Sequence, residues 1–255
     1  MTGRYVVQFS CGAASAIAAK LSIARHGVNC DVQIINAYIE NEHADNRRFL
    51  ADCERWFSRK ITVLRDEVYG ADALNVFRKR RYMKGPKGAP CSRELKRKLL
   101  NTWAQPGDVI VLGFTAEEVD RRDDFEEHFP NVPIYCPLID SGLSKCDCKE
   151  MIARAGIELP LMYRLGYENA NCIGCVKGGE GYWRAIRQDF PEQFEKIAAL
   201  QEQIGEGANF LRYRHGPLKD QRFSLRELPE GKIAREGEIP QCSFFCETAE
   251  AEYSA

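Results

Sequence analysis

The chain has 255 residues, of which 44% are hydrophobic and 29% charged, a balance typical of a globular protein with a sizeable core rather than of a disordered chain. Its 36 Lys and Arg residues nearly cancel its 37 Asp and Glu residues, which excludes a basic field over the whole surface but not a local basic patch. No window approaches the roughly 18 consecutive apolar residues of a membrane-spanning helix, and the N-terminus carries no signal-peptide pattern, so we expect a cytoplasmic protein without a membrane partner.

The first 140 residues alternate between short β-rich runs and longer segments with helical spacing. Apolar strands that alternate with helices are typical of a parallel sheet covered on both faces. The predicted strands are residues 5–9, 31–39, 61–64, 109–114 and 132–136, and the clearest helices are 13–25 and 46–57. The pattern therefore predicts a doubly wound α/β domain over residues 1–140, with a ligand at the carboxyl ends of its strands.

The remaining residues, 141–255, differ from the first 140 in composition and in predicted secondary structure. Residues 141–204 are helices and loops rich in cysteine, and we expect them to pack on the first domain. An apolar stripe between Phe194 and Ile204 is typical of core packing. From residue 205 to 255 Gly, Pro and charged residues dominate, which predicts an extended C-terminal arm that could include a short hairpin.

Small residues connect the first strand to the first helix. They let the backbone fold closely round an anion, and free N–H groups at the start of a helix point towards it. The segment matches neither the Walker loop nor the GxGxxG pattern. Both an anion-binding loop and a tight turn that only serves packing remain open. The residues are Ser10, Cys11, Gly12, Ala13, Ala14 and Ser15.

Eleven cysteines are an odd number and too irregular for a disulfide framework, so metal or redox chemistry is the better interpretation. Cys172 and Cys175 form a CxxC pair, whose spacing lets two thiolates bind one metal ion or one iron–sulfur cube. A redox dithiol is the competing interpretation. Cys91 is the first candidate for a further ligand, because it opens a helix whose N-terminus should favour a thiolate. Cys242 and Cys246 are the next candidates.

A basic run covers residues 78–98, where ten Lys and Arg residues stand against one acid, Glu94. A solvated helix face normally mixes charges of both signs, so this excess points to an anionic ligand such as a nucleotide or polyphosphate, with a nucleic acid as the alternative. A sparser basic set in the C-terminal arm comprises Arg212, Arg214, His215, Lys219 and Arg222.

Taken together, four segments resemble the PAPS reductase family, the 3′-phosphoadenylylsulfate reductase branch of the adenine-nucleotide α-hydrolase-like (PP-loop) enzymes. They occur in the family's order over roughly residues 5 to 204. The resemblance implies a Rossmann-like (HUP-type) parallel sheet, an adenine nucleotide over the first loop, and an enzyme of sulfur metabolism. The matching segments are Phe9 to Ser15, Gly113 to Arg122, Pro137-Leu138 with the helices after it, and Tyr163 to Tyr167 leading into Cys172-Ile173-Gly174-Cys175.

The resemblance also implies roles for individual residues. A [4Fe-4S] cluster would be held by Cys91, Cys172 and Cys175, with a zinc ion as the alternative. Cys242 or Cys246 would be the nucleophile that attacks the sulfonate sulfur of adenylyl sulfate or its 3′-phosphate, and a thiol donor such as thioredoxin would then release sulfite. The residues expected to bind the nucleotide are Ser10, Cys11, Gly12, Ala13, Ser15, Gly113, Glu118 and Arg121.

Two departures from the family's pattern keep other functions open. Ala14 stands where ATP-cleaving PP-loop enzymes carry an acid, and Ser92 follows Cys91 where cluster-bearing reductases carry a second cysteine. Related enzymes that insert sulfur into nucleic acids use three-cysteine clusters with an open iron. The alternatives are therefore an ATP-dependent iron–sulfur sulfurtransferase of the thiolation or phosphorothioation type, and a non-catalytic nucleotide-binding protein.

Overall fold

The structure, a computed structural model, describes residues 3–86, 88–213, 217–235 and 249–253. Its centre is a five-stranded sheet in the order β3-β2-β1-β4-β5, in which all paired strands run parallel. The predicted α/β class with a parallel sheet is thus confirmed. The strands are β1 (Arg4–Gln8), β2 (Asp31–Ala37), β3 (Ile61–Leu64), β4 (Val109–Val111) and β5 (Ile134–Tyr135).

Helices cover both faces of the sheet, which explains why its strands are nearly continuous apolar runs. A π-helical segment, Ser92–Arg97, leads directly into the fourth α-helix. The α-helices are α1 (Ala13–His26), α2 (Asp45–Phe57), α3 (Ala73–Arg80), α4 (Lys98–Trp103), α5 (Val119–His128), α6 (Pro137–Asp140), α7 (Lys145–Arg154), α8 (Leu161–Arg164), α9 (Glu180–Asp189) and α10 (Pro191–Ile204).

The strand order reverses beside β1, the central strand. β1 pairs with β2 on one side and with β4 on the other, and Val7 of β1 lies opposite Val111 of β4. The loops after these two strands therefore leave the sheet side by side at its carboxyl edge. This is the switch point at which doubly wound sheets bind their ligands.

A second apolar core lies beyond the sheet and is centred on the fully buried Trp183 of α9. Phe194 and Ile197 of α10 pack into it, as the stripe predicted. The described part of the C-terminal arm adds a short antiparallel hairpin, β6 (Leu211–Arg212) and β7 (Arg222–Phe223), which was expected there. Within the described ranges, no helix is both long and apolar enough to cross a membrane.

Candidate functional site

The loop after β1 is closed by the side chain of Ser15. Its hydroxyl donates to the carbonyl oxygen of Gly12 at 2.9 Å and accepts a hydrogen bond from the backbone N–H of Ser10 at 3.1 Å. Cys11 lies between them in the left-handed region, with φ of 56°. The small residues predicted from the sequence thus form one compact turn at the start of α1.

Two glycines allow other elements to approach this loop. A Cβ atom on Gly113, after β4, would lie 3.1 Å from both the Cα and the backbone nitrogen of Ser15, so a larger residue would push against main chain. A Cβ on Gly12 would lie 3.1 Å from the hydroxyl of Tyr163, which accepts a hydrogen bond from the N–H of Ala13 at 3.4 Å. The site is therefore closely built from three distant parts of the chain.

The loops after β1 and β4 enclose a cavity of about 500 Å³, which we call the first-loop cavity. That volume lies within the range of small-ligand sites. Cys11 and Ala13, at 0% and 1% exposed, lie behind the loop and outside the lining. Tyr163 and Lys145 also line it. The sequence placed Tyr163 in a segment that matches the family but not in the nucleotide site, and it gave no indication of Lys145. The predicted nucleotide-binding residues that line it are Ser10, Gly12, Ser15, Gly113, Glu118 and Arg121.

Carboxylates hold the two cations of the first-loop cavity. Arg121 forms an ion pair with Glu118 and stacks on the Phe114 ring, 4.5 Å from its centroid, while Lys145 pairs with Glu168 at 3.0 Å. An anion bound in this cavity would therefore depend chiefly on the backbone N–H groups at the start of α1.

A second cavity, of about 470 Å³, lies on the other side of Ser10. Lys96, Arg97 and Lys177 line it, so we call it the basic cavity. Ser10 and Gln8 line both this cavity and the first-loop cavity. A ligand held over the first loop can therefore extend towards three cationic side chains.

The basic run is partly neutralised by its one acid. The side chain of Glu94 is only 3% exposed, and it pairs with Arg80 at 2.9 Å, Arg93 at 2.9 Å and Lys98 at 2.6 Å. These three cations therefore stabilise a buried carboxylate, which charge counting could not reveal. Of the run's other cations, Lys96 faces the basic cavity and pairs with Glu42 at 3.3 Å.

The three cysteines predicted as metal ligands line a single cavity of about 580 Å³, the cysteine cavity. Cys91 is the helical residue directly before the π-helical segment, whereas Cys172 and Cys175 come from the loop before α9. The CxxC loop is tied to the loop between β2 and α2, because Cys172 forms a β-bridge with Glu42 and the N–H of Ile173 donates to the Asn41 carbonyl at 2.8 Å.

One hydroxyl group organises the CxxC loop. Tyr182 Oη accepts hydrogen bonds from the N–H groups of Gly174 at 3.1 Å and Cys175 at 2.9 Å, and it donates to the carbonyl oxygen of Cys172 at 2.9 Å. Gly174 has φ of +77°, and a Cβ there would overlap the Ile197 side chain. Sequence reasoning missed Tyr182, since a tyrosine seven residues after a cysteine is no recognised signal.

Burial favours the protonated thiols of Cys91 and Cys172. It raises the pKa of Cys91 and of Cys172, and each is raised further by the neighbouring cysteines. At Cys91 the effect of burial on the pKa thus exceeds that of the helix N-terminus, which was expected to favour a thiolate. Burial likewise raises the pKa of Cys11 to about 12, although Arg47 lies 3.5 Å from its sulfur.

The cysteine cavity has the right donors for a metal centre, although its side chains do not meet at one point. In the described part of the chain, no group of three or more His, Cys, Asp and Glu side chains is arranged so that it could hold a metal ion. Thiolates suit iron–sulfur clusters and zinc. Binding either would require the three side chains to turn inwards and lose their protons.

The remaining predicted site residues, Cys242 and Cys246, lie outside the described residues, as do Arg214 and His215. No protein-family model matches the chain, and a search of curated proteins finds no match either.

Proposed function

We propose that this protein is an adenine-nucleotide-binding enzyme of sulfur metabolism that reduces adenylyl sulfate or its 3′-phosphate. The observation that carries the proposal is the adjacency of the three cavities. Ser10 lines both the first-loop and the basic cavities, and Lys96 of the basic cavity pairs with Glu42, which lines the cysteine cavity. A nucleotide over the first loop would thus direct its anionic end towards the cysteines.

In this proposal, binding relies on the loop backbone and on the basic cavity. The N–H groups at the start of α1 would hold a phosphate, because a helix N-terminus carries partial positive charge. Lys96, Arg97 and Lys177 would hold the sulfonate or the 3′-phosphate as charge-assisted hydrogen-bond donors. The nucleotide is thereby oriented with its sulfur atom accessible from the side of the cysteines.

The proposed reaction is a thiol displacement in two steps. The thiolate of Cys242 or Cys246 attacks the sulfonate sulfur, the bond between that sulfur and the phosphate oxygen breaks, and the adenosine phosphate leaves with both electrons. An external dithiol of the thioredoxin type then attacks the cysteine sulfur, sulfite leaves, and the resulting mixed disulfide is resolved by the second thiol of the donor. The donor is oxidised, and the sulfur of the nucleotide is reduced to sulfite.

The cysteine centre would assist without taking part in bond making. Cys91, Cys172 and Cys175 would hold a [4Fe-4S] cluster or a zinc ion. When bound, such a group would supply an iron or zinc atom that can act as a Lewis acid beside the anionic end of the nucleotide, although together with its three thiolates it carries no net positive charge. Tyr182 would orient two of these ligands through its three hydrogen bonds to the CxxC loop.

One observation favours a second candidate, an ATP-dependent sulfurtransferase. Three cysteines of the described residues line the cysteine cavity, so a bound cluster would have its fourth ligand position open. Ala14 argues against it, because the loop then lacks the acid of ATP-cleaving PP-loop enzymes. Iron and sulfide analysis after anaerobic purification, followed by binding of ATP and adenylyl sulfate, separates the two.

Nucleotide binding is tested by Gly12→Val. A branched side chain there would collide with the Tyr163 hydroxyl and fill the space above the loop, so we expect loss of adenylyl-sulfate binding in a protein with a normal circular dichroism spectrum. Gly207→Val is the matched control, since nothing lies within 4 Å of a Cβ at that position. Unchanged affinity in Gly12→Val would reject the first loop as the nucleotide site.

The reaction itself is tested with adenylyl sulfate labelled at sulfur. Mass spectrometry should find the label on Cys242 or Cys246, and a Cys242→Ser/Cys246→Ser variant should take up none. Cys146→Ser, which removes an exposed thiol of α7, is the control and should be labelled normally. If no adduct forms and the double variant still transfers sulfur to another acceptor, the reductase proposal fails and the sulfurtransferase replaces it.

A further inference from the structure

A basic trough lies beside the CxxC loop. It adjoins the cavities around the first loop, since it shares Lys177 with the basic cavity and Glu168 with the first-loop cavity. It consists of a cavity of about 710 Å³ next to the hairpin and an adjoining cavity of about 770 Å³ that reaches Cys175. Both are lined by Lys177 and Tyr213, so the two form one continuous depression. The cationic residues of the trough are Lys84, Lys177, Arg184, Arg212, Lys219 and Arg222.

These cations differ from those around Glu94 because, apart from Arg184, none forms an ion pair with a carboxylate of the described residues. The guanidinium of Arg212 donates to the carbonyl oxygen of Asp220, and that of Arg222 donates to the carbonyl oxygens of Lys84 and Asn209. Three acids also line the trough, Asp220, Glu168 and Glu180. Glu168 is already paired with Lys145, and Glu180 with Arg184. Positive charge therefore exceeds negative charge in the trough.

The hairpin places two of these charges in an unfavourable position. Arg212 of β6 and Arg222 of β7 are direct cross-strand partners, and like charges in that position repel one another. Burial and the nearby cations Arg222, Lys177 and Arg212 also lower the pKa of Lys84. A bound anion would relieve this repulsion.

We propose that the basic trough binds the phosphodiester backbone of a single-stranded nucleic acid and leads the strand towards Cys175. The two adjoining cavities together exceed what one nucleotide needs. The five cations without a carboxylate partner line the cavity next to the hairpin, and one of them, Lys177, also lines the cavity that reaches Cys175. Tyr213 stands where the cavities join, with its ring supported by Phe223 at 4.3 Å between centroids. An aromatic ring among cations is the usual platform on which single-stranded bases stack.

This inference does not depend on which reaction the first loop supports. The test is fluorescence anisotropy with labelled single-stranded RNA and DNA of about 12 nucleotides, measured between about 50 and 200 mM salt. Arg212→Gln/Arg222→Gln should weaken binding about tenfold and reduce the log–log salt slope by about 1.4, because each lost phosphate contact on a single strand contributes about 0.7. Arg212→Lys/Arg222→Lys keeps the charge and should retain most of the affinity.

Matched controls separate the trough from general charge effects. Lys60→Gln/Arg226→Gln removes the same number of charges from exposed positions outside the trough and should bind as the wild type does. Because Lys177 lines both the trough and the basic cavity, strand binding is measured without added nucleotide, so failure of the nucleotide proposal would leave this result untouched. Any of three results would overturn the proposal. The Gln double variant could bind as tightly as the wild type, the wild type could fail to bind, or inorganic triphosphate could compete as well as a nucleic-acid strand does.

Discussion

Replacing Tyr182 by phenylalanine removes one hydroxyl group and leaves the ring in its contacts with Tyr167 and Trp183. The backbone groups that lose a partner are the N–H groups of Gly174 and Cys175 and the carbonyl of Cys172. Each neutral hydrogen bond contributes about 0.5 to 1.5 kcal/mol net. The loop lines a cavity that water can enter, so part of the loss is recovered, and we expect the loop to be destabilised by about 2 kcal/mol.

The assay follows the accessibility of the thiols rather than enzyme activity. A local destabilisation of about 2 kcal/mol increases the open population about thirtyfold, since about 1.4 kcal/mol corresponds to a factor of ten. Alkylation of Cys175, followed by mass spectrometry, should accelerate by up to this factor in Tyr182→Phe. Iron loading under anaerobic conditions should fall in parallel, because the ligands are held less firmly.

Tyr38→Phe is the matched control for this measurement. Tyr38 is also half-buried, and its hydroxyl makes no hydrogen bond within the described ranges. Its removal should change neither the alkylation rate nor the iron content. If Tyr182→Phe and Tyr38→Phe alkylate at the same rate, the Tyr182 hydroxyl does not organise the CxxC loop, and the reasoning is refuted.

Three further predictions concern stability and ligand access. Gly113→Ala should move the first loop, since its Cβ would lie 3.1 Å from main-chain atoms of Ser15. Calorimetry should then show an adenine-nucleotide affinity about tenfold lower, with the fold retained. An affinity equal to that of the wild type would contradict this close approach. Gly174→Ala should lower the free energy of unfolding by about 2 to 4 kcal/mol, because Gly174 has a positive φ and an added Cβ would overlap the Ile197 side chain. An unchanged midpoint of urea unfolding would contradict this prediction. Hydrogen bonds from Arg48 lower the pKa of Asp45 to about 2, so the stability they contribute is complete above pH ~4, the ordinary carboxyl value, and is lost as the pH falls towards 2. Asp45→Asn should therefore show a smaller drop in its urea midpoint across that window, and a drop equal to that of the wild type would refute the assignment.

The sheet could be predicted from the sequence because nearly all residues of fully buried parallel strands are apolar. The position of the first loop followed from the same rule, since it comes directly after the first run. The ends of the strands were predicted less accurately. The strand expected over residues 109–114 ends at Val111, because the chain at Gly113 packs closely against the first loop. Local patterns indicate which segments are strands, but close approach between segments decides where they end.

Charge and hydrogen-bond partners could not be predicted in the same way. Ten basic residues near Cys91 suggested a single anionic ligand, yet Glu94 is buried among three of them. The role of Tyr182 depends on the positive φ of Gly174, which exposes the N–H groups that its hydroxyl satisfies. Such partnerships join residues on different elements, so they emerge only once the chain has folded.

The bridge between Glu42 and Cys172 has a consequence for engineering. Because the N–H of Ile173 is also bonded to the carbonyl of Asn41, the CxxC loop takes its position from the loop that follows β2. Transplanting residues 171–176 alone into another sheet protein would transfer the cysteines without the loop after β2 that positions them. A graft would have to include residues 40–43 as well, so the smallest portable unit of this centre is a pair of loops.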